Sequence, residues 1–422
     1  MRLPSLSPRR LRQLWYVPLL VLAMALMMLR LLVMARLFDV PTFAEFSGGM
    51  LVSATFCMLG CLGLQSMLQR EWPVNLVRRQ ELRALVRAAQ CALVAVACCA
   101  IGLLAAGLGL RVAGMTPALL AVGLLNGLAQ QCFLLATVES RSRGEALRFS
   151  LQNLLRAVAA FGLSVFVAVT TGSALGALVV DALVTIVLSA GYFQRSLAHV
   201  KWGALAVGVL ALRRLRRVQW RSALTLMVVM VVGFVLLNAD RWVASVRLGT
   251  VGFAHYAFAW IVLSMAQSVQ VVINASVYPM LVRRYAEHGR GVAFRLCLRV
   301  CAAILVLGVV AAVPLGLLLD FSVRRWYPQF ADATPLLPLF LAIAVLRVSD
   351  FWSSFLLITG FESRLLRLNL AVAVGGAIVW ALLVRPGGAT VLSPTDVAGL
   401  AAVFTLGAYG AAAGAAWRVG SR

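Results

Sequence analysis

Three arginines, Arg30, Arg156 and Arg347, lie inside long apolar runs and are the first residues that demand a chemical explanation. A guanidinium at mid-depth in hydrocarbon costs about 2.5 to 3.5 kcal/mol on insertion scales, so each needs a partner or a task. Facing a water-filled cleft, Arg30 could grip a pyrophosphate through parallel N–H donors, a fork geometry that lysine lacks. Its other reading is a neutralising partner across the bundle, or snorkelling toward one face. Arg347 stands three residues before Asp350, a spacing at which the two either neutralise each other or serve a ligand together. Arg156 sits near one end of its run, within snorkelling reach of headgroups.

The carboxylates give the second set. Asp181 has no local partner within its run, while Asp240 is followed directly by Arg241. Unpaired carboxylates at such depth are candidate proton or sodium sites in coupled transport, and Asp350 joins them on the same ground. The competing reading of Asp181 is an ion pair with Arg30 or Arg156. Neutral polar residues complete the inventory: Ser264, Gln267, Gln270 and Asn274 recur at spacings of 3, 3 and 4, and Asn126 and Gln130 lie one turn apart. Such side chains can meet sugar hydroxyls or join helices at roughly 0.6 to 2 kcal/mol each, and the pattern does not choose.

The elements that must position these residues are membrane spans. The chain has 422 residues, 62% hydrophobic and only 12% charged, with a mean hydropathy of +0.95, more apolar surface than one soluble core can bury. Twelve runs, at about 15–37, 46–68, 86–108, 116–138, 150–170, 173–194, 221–245, 253–279, 297–319, 334–358, 365–384 and 396–417, each approach the length that spans a bilayer. Without the alternation of barrel strands they read as helices. The connections alternate in charge. Of 38 Lys plus Arg, 28 fall on one side, from Arg2, Arg9, Arg10 and Arg12 through Lys201 to Arg418 and Arg422. Seven fall on the other: Arg36, Arg111, Arg241, Arg247, Arg324, Arg325 and Arg385. By the positive-inside rule both termini are cytoplasmic.

The net charge of +24 sits in short loops beside spans, which points to orientation and anionic lipid rather than nucleic acid. The apolar run after Arg12 continues past Val33 without a small-x-small cleavage site and reads as a retained span. All eight cysteines fall within or beside spans as small packing residues, the three histidines (His199, His255, His288) are scattered, and neither a metal nor a cofactor is expected. Glycines at 48, 49, 60, 63, 375 and 376 read as sites of close helix approach. The longest connection holds an eleven-residue apolar run, 202–212, followed by RRLRR, and reads as a basic amphipathic helix lying in the interface. The organisation is therefore two six-helix lobes, 1–194 and 221–422, joined by a linker at 195–220.

Internal similarity supports the division. ARLFDVPTFAEF, Ala35 to Phe46, parallels VRLGTVGFAHY, Val246 to Tyr256, each after the first span of its half. Six spans per half make the repeats parallel, related by a pseudo-two-fold axis along the membrane normal. These segments, with the CLGL step around Gly60 to Gly63, Arg70, and YPMLVRR at Tyr278 to Arg284, resemble the polysaccharide-exporter branch of the MATE-like flippase superfamily, the O-antigen and exopolysaccharide flippases.

That resemblance implies two six-helix bundles around a cationic central cavity, and movement of undecaprenyl-pyrophosphate-linked oligosaccharide across the bacterial inner membrane by alternating access. It implies functional arginines on the first helix, where Arg30 and Arg36 stand, with Arg347, Asn126, Gln130, Gln267, Gln270 and Asn274 as further cavity candidates. A polysaccharide polymerase or co-polymerase is the implied protein partner. The activity is transport, not catalysis. A drug or cation antiporter of the same fold should carry an acidic interior, whereas the intramembrane charges here lean basic. A glycan polymerase or ligase should carry a large outer loop, whereas the longest outer connection, 320–333, has about 14 residues and His255 lacks a nearby carboxylate in sequence.

Overall fold

The computed structural model describes residues 15–109, 112, 114–200, 203–383 and 392–421. Arg2, Arg9, Arg10, Arg12, Arg111, Lys201, Arg385 and Arg422, and Trp202 at the start of the linker run, lie outside the described residues.

Where lipid replaces water, each backbone N–H and C=O must be paired within its own segment, and the chain answers with helices. In the first half these are α1 (Tyr16–Leu37), α2 (Val40–Leu59), α3 (Leu64–Val77), α4 (Glu81–Gly107), α5 (Pro117–Ser142), α6 (Ala146–Thr171), α7 (Ala174–Val200) and the short α8 (Ala204–Arg213). The second half holds α9 (Trp220–Arg247), α10 (Gly249–His288), α11 (Arg290–Trp326), a 3-10 stretch (Pro328–Leu336), α12 (Leu337–Ser349), α13 (Trp352–Ile358), α14 (Glu362–Leu383) and α15 (Pro394–Gly420). Local chemistry sets the ends. Thr116 caps α5 by accepting the Leu119 N–H at 3.2 Å ahead of Pro117, and Ser393 forms a reciprocal capping box with Asp396 ahead of Pro394.

Among the described residues eleven helices are long and apolar enough to cross a membrane. The remaining expected span, 365–384, falls on α14, a 22-residue helix. The apolar side chains face outward as a lipid-solvated protein requires: no residue in the most apolar window of α11 is buried, and Ile101, Leu104, Phe166, Val187, Val310 and Leu317 are exposed. The protein is a multi-pass, all-helical membrane protein.

The described chain divides into two compact units. The first holds the residues through Phe38 together with Glu45–Val231. Within it α1 packs along α6, α5 along α7 and α4, and α6 on α7. The second holds Asp39–Ala44 and Val232–Arg422, with α10 and α11 packed on α12, and α12 and α14 on α15. Its aromatic residues are close-packed, Phe258 stacking on Phe330 at 4.5 Å with Phe43 edge-on at 5.1 Å.

Two expected spans are interrupted. The run at 46–68 breaks at 60–63 between α2 and α3, where Leu62 (φ 48°) and Gly63 (φ 80°) enter the left-handed region. A Cβ at Gly63 would lie 2.0 Å from the carbonyl oxygen of Ala223, so glycine meets both the dihedral and the contact with α9. The glycine step that reads as helix packing is therefore chiefly a helix break. Gly49 does serve close approach, since a Cβ there would meet Leu178 at 2.4 Å. The run at 334–358 likewise breaks at Asp350 and Phe351, between α12 and α13. The linker run forms α8, ten residues, whose Val207 and Ala211 are buried against α4 rather than facing outward all round.

Gly63→Ala should cost about 1–3 kcal/mol of strain plus a backbone clash, lowering the thermal unfolding midpoint in detergent by several degrees. Gly162→Ala, on α6 with no atom near its Cβ position, should leave the midpoint unchanged or raise it.

Candidate functional site

Each unit buries a small charged cluster, and the two are built differently. In the first, Ala23, Arg30 and Met34 share one face of α1, which α6 covers. The buried face of α7 carries Leu178, Asp181 and Thr185 at spacings of 3 and 4. Arg30 Nη1 lies 2.9 Å from Asp181 Oδ2, and each side chain is 1% exposed. Asn126, fully buried on α5, donates Nδ2 to the same oxygen at 3.3 Å. The thioether of Met50 lies 3.9 Å from Arg30 Nη2 and from Asn126 Nδ2.

The pair is incompletely satisfied. Arg30 Nε, Asp181 Oδ1 and Asn126 Oδ1 are buried and have no hydrogen-bond partner among the described residues. A buried pair with orphaned donors and acceptors recovers little of its desolvation cost, so its stabilising value alone does not account for it. Arg156 enters the same interior. Its Nε donates to Thr185 Oγ1, one turn from Asp181 on α7, at 3.2 Å, and its guanidinium lies 4.9 Å from the Phe133 ring centroid. The snorkelling expected from its position is thus replaced by inward engagement. The cluster holds two cations against one carboxylate.

In the second unit Asp240 on α9 accepts the Tyr256 hydroxyl of α10 at 2.8 Å, with both residues buried. Arg241 stacks over Trp260 at 4.1 Å. Arg347 on α12 donates to the Leu237 carbonyl at 3.5 Å. Again two arginines accompany one carboxylate. Asp350 is not part of it: outside α12, its carboxylate accepts the Ser353 hydroxyl at 3.0 Å and the Ser353 N–H at 3.4 Å in the first turn of α13, so the expected pairing of Arg347 with Asp350 is not made.

Other sequence candidates separate from these clusters. Arg36 is exposed at the last turn of α1, and Gln130 is half-buried while its neighbour Gln131 is fully buried, bonded to Gln65 at 2.9 Å. Gln267, Gln270 and Asn274 are half-buried on α10, where the buried Asn274 Oδ1 has no partner among the described residues. His255 is not isolated: its ring lies 3.4 Å from the Gln329 carbonyl and edge-on to Phe330. Met50, Thr185, Tyr256 and Trp260 escaped the sequence reading because their types are ordinary in spans and only tertiary packing brings them to a charge. Among the described residues no three His, Cys, Asp or Glu converge on a metal site.

Because the Arg30–Asp181 pair is buried, Arg30→Ala strands a carboxylate and should cost about 3–5 kcal/mol of stability, and Arg30→Ala/Asp181→Ala should recover most of it. Tyr256→Phe should cost about 1–3 kcal/mol through Asp240. Thermal unfolding of the purified variants in detergent checks both, and additive losses in the Arg30/Asp181 cycle would contradict the pairing.

No family model matches the sequence, and no curated relative does. Solved structures do. An inward-facing multidrug-resistance transporter of the MATE family, MOP superfamily, superposes with a TM-score of 0.64 at 14% identity, over 93% of this chain and 98% of that one. The outward-facing conformation of such a transporter gives 0.57 at 16% identity, over 96% of each chain. The lipid II flippase MurJ, inward closed, gives 0.63 at 10% identity, over 95% of this chain and 87% of its own. At these identities the likeness is one of architecture: the chain has the all-helical multi-pass fold shared by MATE-type transporters and a lipid-linked flippase.

Proposed function

We propose that this protein is a flippase for a lipid-linked oligosaccharide carrying a pyrophosphate, of the kind used to build surface polysaccharide at the bacterial inner membrane, and that it works by alternating access. The observation that carries the reading is the sign of the buried charge. Each unit sets two arginines around one buried aspartate, the buried Arg30 and the half-buried Arg156 near Asp181, and the buried Arg241 and Arg347 near Asp240. A surplus of guanidinium suits an anionic headgroup, which arginine grips bidentately, and opposes a cationic drug. The fold is compatible with both, since MATE transporters and a lipid II flippase share it.

In this reading Arg30 exchanges partners. Its pair with Asp181 leaves Nε unused and leaves Asp181 with one idle oxygen, so a phosphate oxygen can compete for the guanidinium while Asn126 stays with the carboxylate and Arg156 stays on Thr185, one turn away. A proton or sodium ion taken up by Asp181 would favour the same exchange, which gives that residue its coupling role. Arg347 and Asp240 are the corresponding candidates in the second unit, with Gln267, Gln270 and Asn274 for sugar hydroxyls, and Arg36 for the approach of the headgroup. Both termini are cytoplasmic in this scheme.

Surface-glycan display in a bacterium deprived of its own flippase tests the proposal at matched membrane abundance. The wild-type chain should restore display, and Arg30→Ala should lose roughly tenfold or more of it. Two further variants separate the roles: restored display in Arg30→Ala/Asp181→Ala would mean that Arg30 only balances Asp181 and that neither residue acts in transport, whereas an inactive but folded double variant together with an active Asp181→Asn would assign the loss to Arg30 and the substrate. Failure of the wild type with several glycans, together with resistance to cationic drugs, would replace this reading by the antiporter.

A further inference from the structure

A cavity of about 840 Å³ opens in the first unit, on its arginine-rich end and apart from the Arg30 cluster. Three segments distant in sequence wall it: α3, the first turns of α4, and the stretch from Arg214 to Leu226 that leads into α9. Six arginines line it, Arg70, Arg78, Arg83, Arg87, Arg214 and Arg217, against one carboxylate, Glu71. That carboxylate is already committed, since Arg87 Nε donates to Glu71 Oε2 at 3.0 Å. Arg83 meets only the neutral Gln80, and the other four form no ion pair among the described residues.

Positive-inside topology explains why arginines lie on this end; it does not explain a concave wall on which five uncompensated guanidinium groups converge. Like charges gathered in a recess repel, and an anion bound among them removes that cost. The walls are also fixed in place. Arg87 Nη1 holds Gln90, which is 3% exposed and donates to the Ala211 carbonyl at 3.3 Å, tying α4 to α8. Arg143 anchors the start of α4 through Glu81 at 2.9 Å. Met67, Val86 and Leu226 add apolar lining beside the arginines.

We propose that this recess is a binding site for the headgroup of a lipid bearing two phosphates, distinct from the transport site. The arginines take the phosphates bidentately and the apolar wall takes the glycerol or chain end, which a small free anion would leave unused. The site ties α3, α4 and the linker together across the anion, so occupancy stabilises the first unit on this face.

The test is lipid binding to the full-length protein in a neutral detergent, followed by native mass spectrometry. Cardiolipin is the two-phosphate lipid, phosphatidylethanolamine the zwitterionic one, and inorganic pyrophosphate the free anion. Cardiolipin should bind the wild-type chain, and Arg70→Gln/Arg78→Gln/Arg217→Gln should weaken it by at least roughly tenfold. Arg213→Gln/Arg216→Gln/Arg221→Gln removes the same charge from neighbouring positions that do not line the recess and should change affinity less than about twofold. Equal weakening in both variants would mean diffuse attraction and overturn the site. Phosphatidylethanolamine binding as tightly as cardiolipin would overturn the phosphate recognition, and inorganic pyrophosphate binding as tightly as cardiolipin would overturn the lipid. All six substituted arginines are solvent-exposed, and the half-buried Arg87 is left intact, so the variants should fold, which unchanged elution and unfolding midpoint would verify.

Discussion

The absence of water to satisfy polar groups governs this molecule, because a charge within a span must find its partner in another helix. Arg30 and Asp181 meet that demand at 2.9 Å from positions about 150 residues apart, on α1 and α7. The consequence is mutual dependence: α1 lies along α6, and α6 on α7, so the pair closes a three-helix set. Asn126 brings α5 into it. A buried pair of this kind fixes which faces meet more than it lowers the free energy of folding.

The same demand acts on the backbone. Wherever a helix breaks inside an apolar run, a specific residue accounts for the loose groups. At 60–63 glycine supplies the left-handed step and allows the Ala223 carbonyl to come close. At Asp350 the carboxylate itself accepts both the hydroxyl and the backbone N–H of Ser353, in the first turn of α13. Asp350 is thereby spent on structure, which separates it from the two carboxylates that stand among arginines.

Charge outside the spans follows other rules. There arginine is solvated, and its count on each face reports topology more than chemistry. Two features rise above that background, the Glu81–Arg143–Glu139 bridge at the shared end of α4 and α5, and the arginine-lined recess beside α3. In both, residues that look alike in the sequence differ because of what stands opposite. Arg87 is neutralised by Glu71, while Arg70 on the same helix as Glu71 is not.

Much of the architecture was legible without coordinates. Hydropathy and length sufficed for an all-helical, multi-pass fold, because hydrocarbon thickness and internal hydrogen bonding leave a long apolar run little else to do. The cost of an intramembrane charge likewise singled out Arg30, Asp181 and Arg347. Sequence could not choose their partners. Arg347 and Asp350 have the spacing of a helical pair, yet the chain leaves the helix between them and the two side chains part. Arg156 has the position of a snorkelling residue, yet Thr185 and Phe133 draw it inward. Tyr256 carries no mark at all until α10 sets it against Asp240. Hydrophobicity is a property of each run by itself and is written in its residues; a partner is a relation between runs, and only packing decides it.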